Sequence, residues 1–340
     1  MRDFAGLTEV GRARRLRPLA LTALEAYDLE VRGLRLIDDG WNCVFRVETP
    51  DGPLALRVTR PTPGRDAASV HSEVAFMTAL SEATDIQVPR VIPNRFGEPV
   101  TMAASPGVPE ARACVVFGWL GGRLLGDKVT SRRWHDLGDL MGRMHRFAAG
   151  WTPPAGFVAP AYDSVLPYGE PLVMFEPGRA DLHGASHLLQ EAYHRTAERI
   201  RALNHQQSRI VIHGDLHAWN VKARRGVLSP FDFEDLLFAV PILDVATSLY
   251  YVRDRADYLS LAVAFRAGYE QHRPWVEREP GELDRLLIAR GLDLLNTTIL
   301  GPDLEVDDWE AFIRRRVMLA HVATGEERAV KIPHATAHTA

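Results

Sequence analysis

Cysteine is scarce in this chain, which has only Cys43 and Cys114 among its 340 residues. Two cysteines cannot build the disulfide framework of a small secreted protein, so a reducing compartment is favoured. The first residues carry scattered charges where a signal peptide needs an apolar core. We therefore expect a cytoplasmic protein.

Long apolar runs and an excess of basic charge are also lacking. No stretch approaches the roughly 20 apolar residues that cross a bilayer. The formal net charge is −4, whereas proteins that bind nucleic acid usually present a basic surface. We expect no membrane partner, no nucleic-acid partner, and a monomer or weak homodimer.

The order of sequence patterns divides the chain into a β-rich part and a helical part. Two of the early strand-like runs are separated by the turn signal PDGP at 50–53. The four strand-like runs of this part lie at 31–37, 44–49, 54–59 and 111–120. Apolar residues at helical spacing predict a helix over 66–80. Beyond Gly121 the spacing becomes helical, with helices predicted over 131–148 and 179–204.

A chain of this length exceeds what one hydrophobic core usually serves, so two lobes are expected. We predict an α+β fold, with a small antiparallel β-rich N-lobe plus one helix over 1–117. A larger, mostly helical C-lobe is predicted over 118–330. The small polar residues of 331–340 predict a disordered tail.

Ionisable residues are concentrated behind a short apolar strand, in the run HGDLHAWNVKARRGVLSPFDFED. The run begins at His213, and a hairpin over 221–231 follows its first eight residues. This hairpin would bring Asp232 back beside Asp215 and Asn220. Three oxygen-bearing side chains are therefore expected at one point.

Such a set of oxygens suits phosphoryl transfer. Hard cations such as Mg²⁺ take oxygen ligands, and Asn220 and Asp232 could each supply one. Asp215 could accept the proton of an incoming hydroxyl. The spacing H-x-D-x-x-x-x-N followed by D-F-x is the arrangement of the kinase template.

The joined pattern HGDLHAWN, FDFED and LDVA resembles the aminoglycoside phosphotransferase/choline kinase superfamily, which has a protein-kinase-like fold. The resemblance covers roughly residues 30–325 and is strongest over 210–250. The run DFEDLLFAVPILDVATSLYY is most similar to the homoserine-kinase-like and stress-response-kinase-like branch. The resemblance implies a bilobal, ATP- and Mg²⁺-dependent enzyme that moves the γ-phosphate to a hydroxyl of a small molecule. The acceptor stays open among amino alcohols, amino acids, sugars and antibiotics, and GTP could replace ATP.

The resemblance assigns roles to the polar residues of this run. Asp215 becomes the catalytic base, and Asn220 and Asp232 become Mg²⁺ ligands. Glu234 replaces the glycine of D-F-G, and this second acid could reach a metal directly or through water.

Three flanking residues take supporting roles by the same resemblance. His213 would anchor the loop, and Asp244 would cap its helix and brace the loop. His217 stands where protein kinases carry a lysine. It could approach the γ-phosphate or merely hydrogen-bond the loop, and the sequence leaves both open.

The nucleotide-binding residues are expected in the N-lobe. In ALR, Ala55 would lie under the purine and Arg57 would contact the α- and β-phosphates, with Glu73 as the partner of that cation. Arg57 replaces the usual lysine, so a cation is kept but its geometry changes.

The rest of the nucleotide site would come from backbone. Val116, Trp119 and Gly121 belong to the segment VFGWLGG, expected to offer hinge groups to the purine edge. The loop 38–43 would cover the phosphates, although it lacks G-x-G-x-x-G.

Three other interpretations compete with a small-molecule kinase. The alternation H-x-D-x-H at 213–217 could bind zinc in a metallohydrolase. A stress-response-type Ser/Thr protein kinase is a second alternative, although only LLFAVPI separates the FED triplet from the LD pair that ends at Asp244, with no activation-loop signature. A catalytically degenerate nucleotide-binding module is the third.

Overall fold

In this computed structural model, the described part of the chain contains short antiparallel strands and eight α-helices. The structure describes residues 4, 6–61, 66–177, 182, 184–301 and 306–334. The chain divides into two compact units. The first unit comprises Met1–Glu82, Val88–Gly121 and Pro153–Val158, and the second unit comprises Ala83–Gln87, Gly122–Thr152 and Ala159–Ala340. Most of the predicted tail, 335–340, lies outside the described residues.

A six-stranded antiparallel sheet forms the centre of the first unit. Its strands run in the order β1-β2-β3-β6-β4, and β5 also pairs with β6. They span β1 Gly33–Asp39, β2 Cys43–Thr49, β3 Gly52–Val58, β4 Val91–Ile92, β5 Thr101–Ala103 and β6 Arg112–Gly118. Pairing between β2 and β3 continues to Thr49 and Gly52, so Pro50 and Asp51 alone form the predicted turn.

Two helices accompany this sheet, where the sequence pattern predicted one. Helix α2, Ala67–Ala83, is the predicted helix, and Asp66 caps it by accepting a hydrogen bond from the Ser69 amide at 3.0 Å. Helix α1, Glu9–Leu24, buries the apolar residues Leu16, Leu19 and Ala20 in the core beside the sheet. Interleaved arginines hid this apolar spacing in the sequence.

The second unit is mostly helical, which confirms the α+β class. Its helices are α3 Ser131–Gly150, α4 Ser186–Gln206, α5 Pro241–Tyr250, α6 Tyr258–Tyr269, α7 Leu287–Leu300 and α8 Trp309–Thr324. Its strands are β7 Arg123–Leu124, β8 Ile210–Ile212, β9 Val221–Arg224, β10 Val227–Pro230 and β11 Leu237–Ala239. They form one sheet in the order β10-β9-β7 and a second, two-stranded sheet of β11 and β8. Of the helices described, none has both the length and the apolar character needed to cross a bilayer.

Helices α3 and α6 pack backbone against backbone because glycine lies at their contact. A Cβ atom at Gly138 would overlap the carbonyl oxygen of Phe265, and one at Gly268 would overlap the carbonyl oxygen of His135. This close approach fixes the position of α3.

Substitution of Gly138 by alanine is expected to lower the free energy of unfolding by about 3 kcal/mol, because the added methyl group must push two helices apart. Gly150→Ala is a matched control on the same helix, since no atom lies within 4 Å of the position that its Cβ would take. The control should stabilise by up to about 1 kcal/mol through helix propensity. Urea unfolding of both variants checks this, and equal midpoints would contradict the backbone contact.

Candidate active site

The predicted hairpin is present and sets the geometry of the site. Strands β9 and β10 pair with Val221 opposite Pro230, and the ladder continues where the Phe231 amide donates to the Asn220 carbonyl at 3.0 Å. Asp232 therefore follows directly on the residue that is hydrogen-bonded to Asn220. Strand β10 is an edge strand, the position that Pro230 requires because proline lacks a donor.

The segment after this hairpin is bound back to the strand before the loop. Asp232 adopts a left-handed conformation (φ 66°) and is followed by a 3-10 turn, Phe233–Asp235, that contains Glu234. Strand β11 then pairs with β8, with Leu237 opposite Ile212. The DFE segment thus precedes one strand of this small sheet, and the loop with Asp215 follows the other strand.

The carboxylate of Asp215 is enclosed by donors. Arg290 donates from Nη2 to Oδ1 at 2.6 Å, and Asn220 donates from Nδ2 to Oδ2 at 3.3 Å. His217 Nε2 lies 3.5 Å from the same Oδ2 atom. Burial favours a higher pKa for Asp215, but Arg290 and His217 outweigh it and leave the pKa below its ordinary value. Asp215 is therefore a carboxylate at neutral pH.

Both histidines of the loop contact other groups of the site through their two ring nitrogens. His213 accepts the Asp215 amide on Nδ1 at 3.4 Å and donates from Nε2 to the Phe231 carbonyl at 3.2 Å. Burial lowers the pKa of His213, which fits this neutral form. His217 accepts the Trp219 amide on Nδ1 at 3.1 Å, which leaves Nε2 as the donor towards Asp215.

This arrangement does not favour the zinc alternative. Both ring nitrogens of His213 face protein atoms, so the H-x-D-x-H alternation does not present a free pair of histidine ligands. Within the described ranges, no three His, Cys, Asp or Glu side chains form a group that could hold a metal ion by themselves. A magnesium ion bound by one amide, one or two carboxylates and substrate phosphates does not need such a group.

Asp244 contacts the loop backbone and does not cap its helix. Its Oδ2 accepts the His213 amide at 3.2 Å, and its Oδ1 accepts the Gly214 amide at 3.1 Å. The capping prediction was wrong because α5 begins three residues earlier, at Pro241. Proline has no backbone N–H group, so this first helical residue leaves no donor there to cap. His145 on α3 places Nε2 at 2.9 Å from Asp244 Oδ2, and its Nδ1 lies 3.0 Å from the Tyr269 hydroxyl.

The residues predicted to bind the nucleotide lie in the first unit. Arg57 forms a bidentate pair with Glu73, through Nη1 to Oε1 at 2.8 Å and through Nη2 to Oε2. Both side chains are buried, so the carboxylate compensates a charge that would otherwise be costly. Ala55 lies two residues before Arg57 on β3, hence on the same face of the sheet.

The predicted hinge segment is partly strand. Val116 is fully buried in β6 and lies opposite Leu56 of β3 on one side and Ile92 of β4 on the other. Trp119 is 37% exposed, and the Arg46 guanidinium lies 4.7 Å from its ring centroid. Gly121 is the last residue of the Val88–Gly121 segment of the first unit.

Sequence reasoning missed an arginine that contacts Asp215. Arg290 on α7 also donates from Nη1 to Asp293 Oδ2 at 2.8 Å and from Nε to the Tyr251 hydroxyl at 3.2 Å. Burial opposes its charge, but Asp215, Tyr251 and Asp293 hold the pKa of Arg290 above its ordinary value. The available signal was two charged residues three apart in an otherwise uncharged helix, LIARGLDLLNTTIL.

Asp293 gives the site a pH dependence of stability. Burial raises its pKa from 3.8 to about 6, although Arg290 opposes the rise. The folded chain therefore holds a proton that the unfolded chain has already lost, and stability falls as the pH rises through about 6. The free energy of unfolding of Asp293→Asn, relative to that of wild type, should rise by about 1–3 kcal/mol between about pH 4 and pH 7.

Urea unfolding of both proteins across this pH range measures the difference. Asp163→Asn, at an exposed ion pair with Arg209, is the control and should keep the wild-type pH dependence. A constant difference between Asp293→Asn and wild type at all pH values would contradict the buried acid.

Comparison with known proteins finds a family model that covers most of this chain. The model of the phosphotransferase enzyme family matches residues 33–279. No protein of curated function matches the chain.

Solved structures share the fold at low sequence identity. An amicoumacin kinase, solved with AMP-PNP, Ca²⁺ and Ami, has a TM-score of 0.73 and 19% identity, over 96% of this chain and 98% of that one. A microcompartment-associated aminopropanol kinase has a TM-score of 0.67 and 21% identity, over 91% and 95%. A choline/ethanolamine kinase family protein from Mesorhizobium loti has a TM-score of 0.53 and 16% identity, over 93% and 95%. The protein-kinase-like fold is thereby confirmed.

Proposed function

Because the chain belongs to the phosphotransferase enzyme family, we propose that it moves the γ-phosphate of ATP to a hydroxyl group of a small molecule, with Mg²⁺. The observation that supports this most is the Asp215–Asn220 contact at 3.3 Å beside the hairpin that leads to Asp232. One short segment thus supplies a base and two oxygen ligands, which is what phosphoryl transfer requires of a protein.

The donor set of the second unit fits a magnesium ion. The Asn220 amide nitrogen is used by Asp215, so its Oδ1 atom is the end left for a cation. Asp232 and Glu234 would add carboxylate oxygens, the hard ligands that Mg²⁺ prefers. When bound, the ion supplies neutralisation of phosphate charge.

Asp215 would act on the acceptor. Its carboxylate is ionised, largely enclosed and hydrogen-bonded on both oxygens, so it can accept a proton from a hydroxyl without first losing its own. His217 would orient the carboxylate through Oδ2, while His213 and Asp244 would keep the loop backbone in place. With His217 assigned to Asp215, the proposal does not require a contact between His217 and the γ-phosphate.

In the first unit, we assign Arg57 to the nucleotide phosphates and Glu73 to holding that guanidinium. Ala55 would contact the purine, and the backbone near Val116, Trp119 and Gly121 would bind its edge. Backbone groups can accept ATP or GTP.

The acceptor is proposed to be an amino alcohol or a hydroxylated antibiotic, the classes to which aminopropanol and amicoumacin belong in the kinases of similar fold. We also propose a cytoplasmic enzyme, because Cys43 and Cys114 are both free and buried, and a monomer or weak homodimer.

A thermal-shift measurement with Mg–ATP, followed by an ADP-release assay over a panel of amino alcohols, amino acids, sugars and antibiotics, tests the proposal. Stabilisation by Mg–ATP and acceptor-dependent ADP release are expected. Binding without ADP release for any acceptor would support a degenerate module, and radiolabelled phosphate on added protein would support a protein kinase. Absence of both binding and release would refute the function.

A further inference from the structure

We infer that Arg290 is the positioning residue for Asp215: it fixes the carboxylate so that Oδ2 is the oxygen that receives the acceptor proton. This inference rests on the proposed function. It concerns a residue of α7, some 75 positions further along the chain than the base.

The two oxygens of Asp215 are held differently. Oδ1 accepts a 2.6 Å hydrogen bond from the Arg290 guanidinium, a short charge-assisted bond. Oδ2 has only the longer approaches of Asn220 Nδ2 at 3.3 Å and His217 Nε2 at 3.5 Å. Long, weak contacts can be exchanged for an incoming hydroxyl, whereas loss of the short Arg290 bond would give up a strong charge-assisted contact.

Arg290 is itself held by three groups, which is what a positioning role requires. Besides Asp215, its Nη1 donates to Asp293 Oδ2 at 2.8 Å, and its Nε and Nη2 donate to the Tyr251 hydroxyl at 3.2 and 3.1 Å. The planar fork is therefore fixed in orientation as well as in place. A lysine could supply the charge, but all its donors lie on one nitrogen and cannot span Asp215, Asp293 and Tyr251 as the planar fork does.

The consequence for the reaction follows from this geometry. As the acceptor oxygen bonds to the γ-phosphorus, its O–H bond breaks and the proton passes to Oδ2 of Asp215. The bond from the γ-phosphorus to the β,γ-bridging oxygen breaks, and ADP leaves with that electron pair. Arg290 exchanges no proton; it keeps Oδ2 directed at the acceptor throughout.

Three substitutions test the role. Arg290→Gln removes the charge and the fork, Arg290→Lys keeps the charge alone, and Arg253→Gln is the matched control. Arg253 is also a largely buried arginine of the second unit, but it holds Asp284, through Nε to Oδ1 at 2.5 Å. Each variant is assayed for kcat and KM with the acceptor that the panel identifies, and for its urea midpoint.

We expect Arg290→Gln to lower kcat about 10- to 100-fold, with KM for Mg–ATP changed by less than about twofold, since misplacement of a catalytic group by 1 Å can cost about 100-fold. Arg290→Lys should recover part of the loss. Arg253→Gln should lower the urea midpoint and leave kcat unchanged. A kcat for Arg290→Gln equal to wild type would overturn the inference, as would a loss that Arg253→Gln reproduces.

A double-mutant cycle separates this inference from the kinase proposal. Arg290→Gln and Asp215→Asn are combined, and unfolding is measured without any substrate. Coupling of about tenfold or more in the unfolding equilibrium is expected for a buried contact pair, and additive effects would overturn the positioning contact. Coupling together with no turnover of any acceptor would refute the kinase and leave the contact intact.

Discussion

Replacement of Asp215 by asparagine is expected to slow acceptor phosphorylation by about 10²- to 10⁴-fold, the range that a general base contributes. The physical reason is that an amide oxygen cannot accept and keep a proton at neutral pH, whereas the lowered pKa of Asp215 keeps its carboxylate ionised. Asparagine has nearly the same shape and can still accept the hydrogen bond from Arg290. The expected change is therefore in kcat and not in Mg–ATP affinity.

Steady-state ADP release and Mg–ATP titration of the same variant provide the two measurements. Asp163→Asn is the control, because Asp163 is also an arginine-paired aspartate of the second unit but is exposed at Arg209. The control should keep wild-type kcat. Turnover of Asp215→Asn at the wild-type rate would show that another group accepts the proton.

Replacement of Gly214 by alanine is expected to lower the free energy of unfolding by about 3–5 kcal/mol, near the upper end for single substitutions. Two independent penalties act at this position. Gly214 has a φ of 81°, which side-chain-bearing residues rarely adopt, and its Cβ would overlap the carbonyl oxygen of Asp235. The overlap is with backbone, so no rotamer change can relieve it.

Gly226→Ala separates the two penalties. Gly226 has nearly the same φ, 82°, but no atom lies within 4 Å of the position that its Cβ would take. It should cost about 1–2 kcal/mol, the backbone term alone. Urea unfolding of both variants gives the comparison. Equal losses at the two glycines would show that the loop and the Asp235 carbonyl are further apart than an added methyl group requires.

The local parts of the site could be predicted because neighbours in sequence decide them. The hairpin between Asn220 and Asp232 follows from a turn flanked by two short strands, and pairing in register then sets where each residue lies. The partnership of Arg57 and Glu73 was also predictable, since each charge would be costly if buried alone.

The remote contributions could not be predicted. Arg290 and His145 come from helices 75 residues after and 99 residues before the groups they contact. Helical spacing says which face of a helix is apolar, but not which buried charge on it meets which loop. The only indication was that two charged residues, Arg290 and Asp293, lie in an otherwise uncharged helix and would need partners if buried.

Element ends were the other source of error. The helix predicted over 179–204 begins at Ser186, and α5 begins at Pro241, ahead of the predicted cap at Asp244. Sequence alone does not distinguish a buried aspartate near a helix start from a cap, because both follow a loop and precede an apolar run. The roles assigned to the site residues remain predictions, and the substitutions proposed at Asp215 and Arg290 test two of them.

The pairing of β11 with β8 has a mechanical consequence. The loop that carries Asp215 leaves one strand of this small sheet, and the segment that carries Asp232 enters the other. Breaking this three-residue ladder would loosen the start of the Asp215 loop and the end of the Asp232 segment together. Heat or denaturant should therefore inactivate each molecule in an all-or-none way. The fraction of active molecules would fall, while the turnover rate of each molecule that stays folded would not change.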